Sequence, residues 1–248
     1  MSQRRARHLS PAGGLASVLA GCGSLALFLL PSFIAMTGHA APPGQLIVQA
    51  SLKDQKGQIR AIADAVVWLP GVHDPQSGIP SLGVGRVEQR QKEFQPHVEV
   101  VRSGWRVDFP NLDRVYHNVF SLSEIARFDL GLYRLGATRS VTLTKPGVVR
   151  VYCNIHPQMV AYLIVVDSDF FAKTKADGRV EIAQVPAGSW PVRIWHEMSA
   201  EWEGTIQIAP GQSNRLDAVL DGSAWRPSPH ENKYGKPYPL AEGDEIRY

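Results

Sequence analysis

The chain has 248 residues, 44% hydrophobic, 20% charged and 8% aromatic, enough to bury one or two cores and neither low-complexity nor fibrous. Its formal net charge of +3 has one origin: Arg4, Arg5 and Arg7 are the charged side chains before residue 41, and the 26 basic residues less these three equal the 23 acidic ones. A chain that is neutral beyond residue 40 has no nucleic-acid footprint and no polybasic membrane patch, so those partner classes are excluded.

Arg4-Arg5-Ala6-Arg7 leads into an apolar run over residues 13 to 36, and Gly38-His39-Ala40 offers small residues at the two positions that precede a cleavage point. Residues 1–40 therefore read as a secretory signal peptide cut after Ala40, which implies export to a bacterial periplasm. The run is also long enough to stay as an N-terminal anchor. Leu19-Ala20-Gly21-Cys22 resembles a lipoprotein box in which Cys22 is lipidated, although the apolar stretch continues well past it. Membrane association is expected only through such an uncleaved signal or lipid anchor. Once Cys22 is removed, Cys153 is the one remaining thiol and no intramolecular disulfide can form. A lone thiol in an oxidising compartment is either buried and inert or occupied.

Short apolar or alternating bursts rich in β-branched residues follow, separated by turn residues. Strands are predicted at Gln45 to Leu52, Ala65 to Leu69, Val98 to Val101, Trp105 to Phe109, Val141 to Leu143, Val148 to Tyr152 and Ala161 to Val166. After the Asp177-Gly178 turn signal come Val180 to Ile182, Pro191 to Trp195, Gly204 to Ile208 and Leu216 to Leu220. Helical periodicity is nowhere sustained, and Ser123 to Phe128 comes nearest with room for a turn or two. The expected fold is all-β, one or two antiparallel sandwiches. From Gly222 onward the Pro-, aromatic- and charge-rich tail is expected to lie extended along the surface.

The chemistry concentrates in Cys153-Asn154-Ile155-His156-Pro157-Gln158-Met159, which places a thiolate, an imidazole and a thioether within seven residues at a strand end. His117, beside Asn118, supplies a second imidazole upstream. Each residue alone has an ordinary structural reading. Together, two His, one Cys and a weak Met form the ligand set of a type 1 copper site, in which thiolate and thioether suit Cu(I) and imidazole suits both oxidation states. Zinc is the competing metal, but structural zinc sites favour more thiolates and no thioether. His73, His97, His196 and His230 show no short ligand spacing; His97 or His196 could approach the copper or a second metal, but hydrogen bonding is their expected role. No Ser/His/Asp pattern and no glycine-rich phosphate loop is present.

From about Val87 to Asp167 the chain resembles the blue-copper cupredoxins. The resemblance rests on Phe94-Gln95-Pro96, the Gly104 to Phe109 strand, Asn111-Leu112-Asp113 leading to His117-Asn118, Pro146-Gly147 and the Cys-to-Met loop, whose Cys-x2-His-x2-Met spacing is similar to that of amicyanin. It implies a cupredoxin Greek-key sandwich with one type 1 copper per chain, His117, Cys153 and His156 in the trigonal plane and Met159 axial. It also implies that Asn118 braces the Cys loop, that Asn154 and Pro157 surround the ligands, and that His156 lies near the surface in an apolar patch where electrons enter and leave. The sequence as a whole, with Trp195-His196-Glu197 and Lys233-Tyr234-Gly235-Lys236, resembles bacterial plastocyanin-like and methylamine utilization proteins.

The flanks resemble a carboxypeptidase regulatory-like (transthyretin-like) sandwich, carried by Asp64-Ala65-Val66-Val67 on one side and Asp177-Gly178-Arg179-Val180 and Val185 to Pro191 on the other. The expected organisation is a signal peptide (1–40), the first part of this sandwich (41–85), an inserted cupredoxin (86–167), the second part (168–221) and a tail (222–248). In the alternative, residues 45 to 80 belong to the cupredoxin and only the C-terminal flank is separate. The function implied is single-electron transfer without catalysis of its own, to a redox protein such as a c-type cytochrome or a dehydrogenase. Three rivals remain: copper storage or delivery through the same ligands, a copper oxidoreductase with a second open site, and an envelope binding module with structural copper.

Overall fold

From Gly44 to Lys53 buried positions alternate with half-exposed ones, and Leu46, Val48, Ala50 and Leu52 point inward, as in a strand that lays one face on a core. The computed structural model describes residues 41–74, 77–227 and 229–238. The expected signal peptide, lipid box and anchor fall on residues 1–40 and lie outside the described residues.

The strands are β1 (Gly44–Lys53), β2 (Ile59–Ala61), β3 (Val66–Trp68), β4 (Val84–Arg86), β5 (Glu88–Arg90), β6 (Glu93–Gln95) and β7 (Val98–Arg102). They continue as β8 (Arg106–Pro110), β9 (His117–Ser121), β10 (Phe128–Tyr133), β11 (Thr138–Thr142), β12 (Gly147–Tyr152) and β13 (Val160–Val166). The chain then forms β14 (Phe171–Lys173), β15 (Arg179–Val185), β16 (Gly188–Trp195), β17 (Trp202–Ile208) and β18 (Ser213–Asp221). The described residues contain no helix, in line with the all-β expectation.

Among the described residues these strands build four larger sheets and the two-stranded β5–β6 hairpin. In the first, β1 lies between antiparallel β15 and parallel β18, the latter in register from Gln45 opposite Ser213 to Lys53 opposite Asp221. The second runs β14-β3-β16-β17. Leu46, Leu52, Val67, Leu69, Val192, Ile194, Ile208 and Leu220 fill the space between them. Strands from residues 44 to 68 thus pair with strands from 171 to 221, and residues 84 to 166 form the other two sheets.

Of those, one runs β10-β9-β12-β13-β7 and the other β11-β8-β4, enclosing Val107, Phe109, Val119, Val149, Val151, Leu163 and Val165. The β5–β6 hairpin closes one side, with Phe94 buried in the same core.

A third cluster joins the two pairs of sheets: Val66, Trp68 and Trp195 pack on Val98, Ile164 and Val166. This explains two sequence features. All three residues of β3 are buried because Val67 faces one core while Val66 and Trp68 face the seam. Likewise β13 reads as a continuous apolar run because Ala161, Leu163 and Val165 point to one core and Ile164 and Val166 to the other. At about 1.5–3 kcal/mol per fully buried large side chain, the seam stabilises the protein as a core does.

In the stretch Ser123 to Phe128, residues 123 to 126 form a turn closed by Ala126 N–H to Ser123 O at 3.0 Å, and Phe128 already begins β10. Ile125 and Ala126 from that turn and Phe128 from β10 already reach the core, so no helix is needed to bury them.

Candidate metal centre

The Cys-to-Met loop is the turn of the β12–β13 hairpin. Cys153 follows directly on β12, and its N–H donates to Met159 O (3.3 Å) while Met159 N–H donates to His156 O (3.0 Å), closing the loop on itself. Tyr152 sits opposite Phe120 in β9, which brings the end of β12 beside the strand that begins with His117. Although β9 reads His-Asn-Val-Phe-Ser, all five of its residues are buried, because it lies between β10 and β12.

The structure brings His117 Nδ1, Cys153 Sγ and His156 Nδ1 together. The two nitrogens are 3.1 Å apart, and the sulfur is 3.9 Å from His117 Nδ1 and 3.6 Å from His156 Nδ1. Among the described residues this is the one group of three or more His, Cys, Asp or Glu side chains whose ligand atoms converge in this way. With bonds of about 2.0 Å to nitrogen and 2.3 Å to sulfur, these separations subtend angles of about 100°, 115° and 130° at a common centre. One first-row ion could therefore be held by all three atoms together. His117, Cys153 and Met159 are fully buried, and Met159 shares a core cluster with Cys153. His156 is half-buried.

Asp113 explains why His117 points its Nδ1 inward. The Asp113 carboxylate lies 2.8 Å from His117 Nε2 and can only accept, so the ring proton sits on Nε2 and the Nδ1 lone pair faces the cluster. The same carboxylate accepts the amides of Gln91 (2.6 Å) and Lys92 (2.8 Å) at the tip of the β5–β6 hairpin. Both residues have positive φ, 57° and 58°, a conformation unfavourable to non-glycine side chains that these bonds offset. Burial raises the Asp113 pKa, but the Lys92 amide, His117 and the Gln91 amide outweigh it and leave the carboxyl below its ordinary value. Burial also lowers the His156 pKa, reinforced by His117 beside it, and so favours the neutral imidazole that binds metals.

Asn118, Asn154 and Pro157 all lie near the cluster, but not all as the resemblance implies. The Asn118 side chain donates to Asp129 Oδ1 (2.6 Å) and not to the Cys loop. Asn154 Oδ1 accepts the Lys233 amide (3.0 Å), and Pro157 O faces His230 Nε2 (2.5 Å). The tail thus lies against the ligand loop, a contact that the expectation of an extended surface segment did not include. The sequence names Asp113, His230 and Lys233 without assigning them a role at this site, and Tyr238 is not singled out at all. Only Asp113 carried a usable signal, an acid four residues before His117. His97 lies between Val160 O and Glu197 (both 3.1 Å), and His196 Nδ1 accepts the Met198 amide (3.1 Å), so both stand apart from the cluster.

Charged as well as apolar groups surround the half-buried His156, since Lys92 and Asp113 both act on its ring. Ile155 is exposed next to it; Val115 and Tyr116 precede His117; Leu132 and Leu135 flank Tyr133, which pairs with His117.

No protein-family model and no curated protein matches the chain. Among solved structures it is similar to the copper-containing nitrite reductase (NirK) from Thermus scotoductus SA-01, with 24% identity and a TM-score of 0.32 over 34% of this chain and 22% of that one. It is similar to a purple cupredoxin from Nitrosopumilus maritimus, with 22% identity and a TM-score of 0.31 over 33% of this chain and 98% of that one. A mutant of amicyanin in its Cu(I) form is similar at 19% identity and a TM-score of 0.32, over 40% of this chain and 97% of that one. The chain therefore spans less than a quarter of the nitrite reductase.

Proposed function

We propose that this is an exported type 1 copper protein that passes single electrons between redox partners. The observation that carries the reading is the convergence of His117 Nδ1, Cys153 Sγ and His156 Nδ1, with the buried Met159 in the same core. A trigonal His2Cys set with a thioether nearby suits copper better than zinc. Copper held there would supply a one-electron Cu(I)/Cu(II) couple.

The residues of the chain do the rest. Asp113 fixes the His117 ring, so that ligand does not turn between oxidation states. Burial of Cys153 and Met159 excludes water from the sulfur side. The half-buried His156 edge, with the exposed Ile155 next to it, offers a small contact for transient docking of a c-type cytochrome or a dehydrogenase. The flanking sheets are read as one regulatory-like sandwich divided by the insertion, a reading supported by the parallel pairing of β1 with β18.

The test is redox cycling of the copper-loaded protein. Electron transfer requires a visible thiolate band that bleaches on reduction and returns on reoxidation. A colourless protein that retains only Cu(I) and yields it readily to an acceptor would instead make this a copper storage or delivery protein.

A further inference from the structure

Beyond the last strand, residues 229 to 238 lie across the ligand loop and grip it at three places. Tyr238 Oη donates to Cys153 O at 2.8 Å. The Lys233 amide donates to Asn154 Oδ1 at 3.0 Å. His230 Nε2 donates to Pro157 O at 2.5 Å, and its ring stacks on Tyr152, the residue before Cys153, with centroids 4.1 Å apart and planes 19° apart. Tyr238 then meets His230 edge-on at 5.1 Å, so two of the three grips brace each other.

A fourth contact leaves the loop. The Lys233 ammonium bonds Asp129 Oδ2 at 2.9 Å, and Asp129 Oδ1 accepts from Asn118, the neighbour of His117, at 2.6 Å. One short segment is therefore tied to both stretches of chain that carry the clustered His and Cys. It leaves Ile155 exposed and His156 half-exposed.

The loop closes on itself through two backbone bonds, Cys153 to Met159 and Met159 to His156. A loop free to open must be ordered each time a metal enters, and that ordering weakens binding; holding it in the bound shape beforehand removes the cost. We propose that residues 229 to 238 are a strap that keeps the metal-free loop in its ligand-bearing shape, with His230 and Tyr238 as positioning residues. Its purpose rests on the copper reading above, whereas its mechanical effect does not.

The experiment compares the full chain with Tyr238→Phe, His230→Ala and the double variant. In the metal-free proteins, amide exchange at residues 153 to 159 is expected to quicken roughly tenfold in the double variant while exchange in β1 stays unchanged. In the copper-loaded proteins, transfer of Cu(II) to a chelator is expected to quicken roughly tenfold, and the thiolate band is expected to shift. Unchanged loop exchange in the double variant would overturn the proposal, and so would a rise shared equally by β1, which would mark general destabilisation. Faster loop exchange in a chain that binds no copper would uphold the strap and overturn the copper reading.

Discussion

Asp113 Oδ2 lies 2.8 Å from His117 Nε2, and that one carboxylate also holds the two left-handed residues of a hairpin far away in sequence. Removing it should act on both. Asp113→Ala is expected to weaken copper affinity about 10–100-fold, because the His117 tautomer and ring orientation are no longer fixed. It should also cost about 1–3 kcal/mol of stability, since the Gln91 and Lys92 amides lose their acceptor. Competition with a calibrated chelator and denaturant melts of the metal-free protein measure the two effects separately.

Met159 is fully buried within the core that holds Cys153. Met159→Leu roughly conserves volume and should cost under about 1.5 kcal/mol in the metal-free protein, whereas Met159→Ala opens a cavity and should cost about 2–5 kcal/mol. If the thioether is an axial ligand, the leucine variant will still bind copper yet show a changed reduction potential. Potentiometry on the two loaded proteins decides it.

Ile155 is 47% exposed beside His156. Ile155→Lys touches no core contact and should change stability by under about 0.5 kcal/mol. On the docking account it slows electron exchange with a c-type cytochrome while leaving the visible spectrum intact. Stopped-flow mixing at several ionic strengths gives the rate, and an unaffected rate would remove this edge from the account.

Glu99 on β7 gives a pH dependence independent of the metal. Burial raises its pKa from 4.5 to about 7, partly opposed by Lys173. A carboxyl whose folded pKa lies above its unfolded value holds its proton more tightly in the folded state, so stability is fully present below about 4.5 and is lost as pH rises through about 7. The loss should be about 1–3 kcal/mol. Glu99→Gln should flatten the profile between pH 5 and 8 (about three units), as read from urea melts at several pH values.

Much of this architecture is legible in the chain itself, for physical reasons that also mark the limits. β1 alternates buried and half-exposed positions over ten residues and β13 is a continuous apolar run, and both patterns survive whatever packs against them. β5 and β6 read Glu-Gln-Arg and Glu-Phe-Gln, and their hairpin depends on Asp113 capturing its tip, which no local pattern encodes. β9 carries two polar residues and a histidine that are buried only because neighbouring strands cover them. In the candidate site, Cys153, His156 and Met159 are neighbours in sequence and could be read together, and His117 could be joined to them by chemistry. The grips of His230, Lys233 and Tyr238 cross roughly 70 to 85 residues of chain and exist only once the tail has folded back.

Whether the His117–Cys153–His156 cluster holds a single type 1 copper is read from optical titration with Cu(II). An intense thiolate-to-copper band is expected, saturating at one equivalent per chain and absent from Cys153→Ser. Binding of Cu(II) without that band, or a band that survives in Cys153→Ser, would contradict a type 1 copper there.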